Sequence, residues 1–445
     1  MKKVLPLLLI LLLAGCDAQK ARDELKKRGV EASNEALFSK AKEGDAEAVK
    51  LLVRGGRSPN AVEKWSGRTP LMFAAEKGNL EVVEALIVLK ADVNARIVPK
   101  VFRSGLPLPG WESRSERPTP GWTALMLAIQ YGHDDVTRAL LKAGAKVNAK
   151  GEPNPHEAFN DTTPLMLAIS KGQTEIARLL IEAGADVNAS DYGKRTVLML
   201  ARNVETLQLL QKAGVNLNQK DAGGRTALWT AVSMIDEKMI RFLVKNGADP
   251  NARDNYGTPV IMSALGKGAN ALVELGANVD AKDAQGKTLL VRMAQDGRYD
   301  GAVRNLYKLG ASLDGITPWQ ATHLLQDAVE ADDRDTAKAA IKAGADLNAH
   351  AKFTSLMLAS ATHSGKTEMV KLLLDSGANP NAGDQSAFTA LHAAGLMGRN
   401  EIAQMLIKAD GNVNAVDKHG RTPLSLALQF KHDDTAKILR DAGAK

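Results

Sequence analysis

The chain has 445 residues, of which 44% are hydrophobic, 4% aromatic and 24% charged, with a formal net charge of +7 and a single cysteine. One cysteine excludes an internal disulfide, so the fold must hold by packing alone. The charge excess is mild for this length and does not argue for nucleic acid as a partner.

The first residues read MKKVLPLLLILLLAGC. Lys2 and Lys3 give a short basic start, and Val4 to Leu13 is almost wholly apolar. This is the layout of a secretory signal, too short for a stable spanning helix. The end of the stretch, Leu13-Ala14-Gly15-Cys16, resembles the lipobox of bacterial lipoproteins. That resemblance implies a lipid on the Cys16 sulfur, cleavage just before it, and acylation of the new amine. Two or more acyl chains anchor firmly, since each buried CH2 contributes about 0.8 kcal/mol. Residues 1–15 are then a signal peptide, and residues 16–32 hold the lipidated cysteine, a flexible tether to about Lys20 and a leading helix over Lys20 to Val30. Asp17 resembles the enterobacterial signal that retains a lipoprotein in the inner membrane. The expectation is a lipid-anchored protein facing the periplasm, where no nucleic acid is offered.

An internal repeat follows. TPLMFAAEKGNLEVVEALIVLKADVNA starts at Thr69, and segments of equal length start at Thr123, Thr163, Thr226 and Thr389. In each, the opening Thr precedes a late Asn by the same step, as from Thr69 to Asn94 and from Thr163 to Asn188. Thr-Pro suits a helix start. Leu and paired Ala let a short inner helix pack tightly, a polar turn follows, and Val/Ile and Leu-Leu fall at helical spacing in a second helix. Gly-Ala ends that helix, and Asp-x-x-Gly supplies the turn toward the next unit.

These segments resemble the ankyrin repeat. The resemblance implies an all-α solenoid of about twelve helix-turn-helix units joined by finger loops. Residues 33–61 lack Thr-Pro and read as an N-terminal cap, residues 62–421 as the repeats, and 422–445 as the C-terminal cap. The units from Thr196 and Thr258 are three residues short between their helices. The unit around His323 to Asn348 has lost its Thr, and the unit from Thr354 has two extra residues near Thr362.

Two insertions, 96–121 and 150–161, interrupt neighbouring finger loops. The first holds Pro99, Pro107, Pro109, Pro118 and Pro120, which exclude helix and central strand. It also carries Phe102, Arg103, Trp111, Arg114 and Arg117, of types enriched in binding hot spots, and residues 97–120 are expected to form part of a partner-binding surface. The second has Phe159. Trp122, Tyr131, Tyr192, Trp229 and Tyr256 complete the candidate contacts, because aromatics are scarce and these fall on or beside the fingers and inner helices.

Other residues suggest chemistry less well. Met72, Met126, Met166, Met199 and Met357 recur at one repeat position and read as inner-helix packing. Asp134-Asp135 and Asp433-Asp434 fall where second helices begin and read as helix caps. No Cys/His cluster, phosphate loop or nucleophile elbow is present, so no cofactor, metal or catalytic residue is implied. The function expected is binding of a protein partner. Among families it resembles, lipid-anchored periplasmic repeat proteins include immunity proteins that neutralise toxins such as phospholipases. The alternative is a constitutive scaffold or assembly factor for a resident periplasmic protein.

Overall fold

The computed structural model describes residues 17–98, 120–152, 161–296, 301–349 and 356–445. Among these the chain is helical, with isolated bridges at Ser190 to Thr196 and Arg253 to Pro259 that close finger hairpins. It forms two compact units, one up to Asp249 and one from Pro250 to Lys445. Each is a stack of short helix pairs. In the first unit, Ala124–Tyr131 pairs with Asp134–Lys142 and Pro164–Ser170 with Thr174–Glu182; in the second, Ala390–Met397 pairs with Asn400–Lys408.

The repeated Thr earns its place as an N-cap. The Oγ of Thr69, Thr123 and Thr163 accepts from the backbone N–H of Met72, Met126 and Met166 at 3.3–3.4 Å. Such a cap is worth roughly 1 kcal/mol. The repeated Asn does a second job. Asn148 Oδ1 accepts from Asp186 N at 2.9 Å while its Nδ2 donates to Gly184 O at 3.1 Å. Asn94 does the same to Lys146 N and Gly144 O. In the second unit Asn381 reaches Asn412 N and Asp410 O, and Asn414 reaches Lys445 N and Gly443 O. The constant Thr-to-Asn step is therefore a cap joined to a rung that ties one repeat to the next.

In several repeats the residue before the second helix makes another cross-repeat bond. Asn79 Nδ2 donates to Ala41 O, Gln173 Nε2 to Ile129 O, and Lys366 Nζ to Val329 O, each satisfying a first-helix C-terminal carbonyl. His133 and His432 occupy this place, bonding Glu76 O and Leu396 O. The His133 ring lies over Gly78, where a Cβ would come within 2.5 Å of Nδ1. Asp134, Asp135, Asp433 and Asp434 are thus not the caps expected. The cap positions are His133 and His432, and the carboxylates sit in the first turn beside the helix's positive end.

Several boundaries differ from expectation. The residues missing from the units at Thr196 and Thr258 shorten the first helix itself, to Val197–Leu200 and to a 3-10 turn at Val260–Ser263, and the second is preceded at its cap position by Pro259, not by the Thr258 expected. The unit ending at Asn348 has kept its Thr: Thr317 caps Pro318–Glu330, accepting from Gln320 N while Gln320 Oε1 accepts from Thr317 N. That helix starts early because its N-terminal turns stand where other repeats place a finger. Leu356, not Thr354, precedes Met357–His363, so no residues are extra and Met357 leaves the methionine row. Residues 17–27 are helical, so the tether expected to reach Lys20 is already helix at Asp17. Ala21 and Leu25 are buried there, and Arg22 Nε donates to Gly55 O at 2.9 Å.

Candidate interaction surface

Several fingers are turns built on one carboxylate each. Asp221 Oδ1 accepts from Gly223 N and Arg225 N at 2.8 and 2.9 Å; Asp254 and Asp283 repeat the arrangement in the second unit. Asp191 accepts from Arg195 through both its backbone N–H and its Nε. These bonds fix each tip and leave the side chains between Asp and Thr pointing into solvent. Tyr192 and Tyr256 sit there, 71% and 76% exposed, and Trp65 occupies the corresponding tip near the N-terminus. Tyr131 and Phe430 are exposed where first helices end.

Other candidates land elsewhere. Trp122 and Trp229 are only 4% and 7% exposed, and neither indole Nε1 has a hydrogen-bond partner among the described residues. They are packing residues, which corrects the contact role expected for them. Trp229 occupies the position of Met72 and Met126, three residues after the capping Thr, and the Arg225 guanidinium lies 5.6 Å from its ring centre. Phe102, Arg103, Trp111, Arg114, Arg117, Phe159 and Cys16 lie outside the described residues. The base of the long insertion is structural: Ile97 is buried, its N–H donates to Trp122 O, and its carbonyl accepts from Gly121 N. Ile97 therefore belongs to the repeat framework and not to a dispensable insertion, which corrects the expected bound at 97.

One exposed aromatic was missed. Trp319 is 59% exposed at the start of the lengthened helix, its ring 4.1 Å from that of His323. The signal was in plain view as Thr317-Pro318 followed by Gln320, a capping pattern six residues ahead of the regular step.

Among the described residues no group of His, Cys, Asp and Glu is placed to hold a metal, and no helix is long and apolar enough to cross a membrane. Among the described residues one histidine is fully buried. His392 takes the methionine position in its repeat, with Nδ1 bonded by the Thr389 N–H at 3.1 Å and Nε2 3.0 Å from Arg421 O. Burial pushes its pKa below the ordinary imidazole value, against the partial opposition of the Arg421 carbonyl. The unfolded chain therefore binds this proton more readily than the folded one. The stabilisation is present above a pH of about 6.5 and is lost as pH falls below it. Melting followed at pH about 7.5 and about 5.5 should show the unaltered chain weakening on acidification. The His392→Met variant should show a smaller change, and an unchanged difference would assign the effect to other groups.

The chain matches the family described as ankyrin repeats (three copies) over residues 2–97, 150–221, 191–254 and 356–445, and the single ankyrin repeat over residues 120–152. A probable E3 ubiquitin-protein ligase, XBOS33 of Oryza sativa subsp. japonica, is 33% identical over 114 residues, covering 25% of this chain and 18% of that protein. Ankyrin repeat and SAM domain-containing protein 6 of Rattus norvegicus is 30% identical over 28% of this chain and 12% of its own length. Protein phosphatase 1 regulatory subunit 27 of Homo sapiens is 29% identical over 30% of this chain and 74% of its own. The chain thus spans less than a fifth of the first two relatives. The crystal structure of the human ASB11 ankyrin repeat domain aligns with 54% of this chain and 98% of its own at 22% identity and a TM-score of 0.43.

Proposed function

Because this chain belongs to the ankyrin-repeat family, we propose that it works by holding another protein against its fingers and first helices, with no chemistry of its own. The observation that carries this reading is the set of finger tips fixed by carboxylate turns, from which Tyr192 and Tyr256 stand free of the core. A fixed aromatic loses little conformational freedom on binding. The test is affinity capture from the protein's own host, with and without a short Gly-Ser link in place of residues 99–119. The link should leave helicity unchanged and weaken partner binding at least tenfold, about 1.4 kcal/mol. Full-strength binding would exclude that loop from the interface.

The same reading takes the protein as a lipoprotein, with Cys16 as the lipid-bearing residue and Asp17 as the residue that keeps it in the inner membrane, facing the periplasm. Cys16→Ser should release the chain from membranes or leave it unprocessed, and Asp17→Ser should send it to the outer membrane. Fractionation in which Cys16→Ser stays mature and lipid-bearing would overturn the anchor. Within this setting the partner is a toxin delivered into the envelope, such as a phospholipase, and the protein is its immunity factor. Capture of a resident envelope protein and no toxin would favour a scaffold instead.

A further inference from the structure

Four neighbouring fingers of the first unit lock into one strip. Their described residues are 95–98 with 120–122, 149–152 with 161–162, 189–195, and 219–225. Arg96 Nη2 donates to Lys150 O at 2.6 Å, and Glu152 N to Pro120 O at 2.9 Å. Lys150 Nζ reaches Ser190 O at 3.5 Å, and Ala222 N donates to Gly193 O at 2.9 Å. Each finger is therefore tied to the next, and the strip meets a partner with its backbone already ordered.

The turn chemistry sorts the charges on this strip. Asp191 and Asp221 face inward, spent on backbone amides and on Arg195. Arg96, Lys150, Lys194, Arg195, Lys220 and Arg225 are all exposed, whereas Glu152 is the one exposed carboxylate among the described residues of the strip. Asp161 is half-buried, so the described strip has six exposed cations against four carboxylates, of which Glu152 alone is exposed. Tyr192 stands among these cations.

We propose that this strip is the docking surface for an acidic protein, one that presents Asp and Glu carboxylates along a face running from finger to finger. The inference rests on the partner-binding reading above and adds the partner's chemistry. Lysine and guanidinium groups held on a rigid edge attract and orient carboxylates. A solvent-facing tyrosine among guanidinium groups adds residue types found at the centres of protein interfaces.

The test uses the full chain and a labelled peptide of about twenty alternating Glu and Ser residues, titrated by fluorescence anisotropy. Raising salt from about 50 to about 200 mM should weaken binding at least tenfold, because exposed charges are screened over about 10 Å. The triple variant Lys150→Glu, Lys194→Glu, Lys220→Glu should weaken it at least tenfold, about 1.4 kcal/mol. A control triple with the same change in net charge, Arg138→Glu, Lys212→Glu, Lys238→Glu, alters exposed residues on second helices. It should change binding less than about twofold, as screened distant charges do. Equal loss from both triples would mean diffuse attraction and overturn the proposal. So would binding to phosphatidylglycerol vesicles, lost in the finger triple, with no binding of the peptide; the strip would then face lipid. The neutral triple Lys150→Gln, Lys194→Gln, Lys220→Gln, set against Arg138→Gln, Lys212→Gln, Lys238→Gln, reads the same point if a charge-reversed variant folds poorly. A host protein cross-linked to a photo-reactive amino acid placed at Tyr192, through a neutral or basic surface, would sink this inference and leave partner binding intact. No cross-linked protein at all would sink the reading beneath it.

Discussion

Trp229→Ala is expected to lower unfolding free energy by about 3–5 kcal/mol, while Tyr192→Ala and Tyr256→Ala each stay within about 0.5 kcal/mol. The difference follows from place in the repeat. Trp229 lies on the buried row of Ala227–Ser233, and truncation removes a bicyclic ring from a site that short helices cannot close. The tyrosines stand on fingers whose turns are held by Asp191 and Asp254, not by the rings. Urea unfolding followed by far-UV circular dichroism measures all three. A loss under about 1 kcal/mol for Trp229→Ala would return that residue to the list of contact residues.

Gly395→Val should be as damaging, and more local. A Cβ at 395 would fall inside van der Waals distance of Pro423 O, with Pro423 C at 3.1 Å. Both are backbone atoms that cannot swing away. Other repeats carry Ala75, Ile129, Ile169 and Val232 at the same place, so a substitution chosen by consensus would fail here. The expected cost is about 3 kcal/mol of overpacking. It should fall on the last helix pair, Pro423–Gln429 and Asp433–Asp441, which packs against Ala390–Met397. Hydrogen exchange should quicken over 423–441 and stay slow in the first unit. Unchanged protection at the C-terminus would mean that the last repeat docks with more slack than its geometry implies.

The repeat was legible because both ends of its step have fixed duties. Thr caps the first helix, Asn bridges to the next repeat, and neither tolerates a shift. The errors arose where residue type and backbone duty part company. Thr354 looks like a cap, but Leu356 holds the cap position with no side-chain bond. At Thr317 the residue type was right, but its helix had grown backward over the space of a finger, so the regular step passed it by. Trp229 looked like a contact because it is aromatic; its distance from Thr226 already placed it in the buried methionine row. The charge sorting on the fingers was not legible, since sequence does not say which carboxylates turn inward to hold amides. Only the folded chain shows the oxygens of Asp191 and Asp221 on the turn's own backbone amides.

The central claim is that a partner protein is held on the finger side. It is tested most directly by placing a photo-reactive amino acid at Tyr192, at Tyr256 and at Val88 in turn, and irradiating cells of the native host. Val88 is 77% exposed at the end of the second helix Leu80–Val88 and is not a finger residue. The account predicts one cross-linked protein from Tyr192, Tyr256 or both, and none from Val88. Adducts from Val88 with none from either tyrosine, or no adduct from any position, would contradict it.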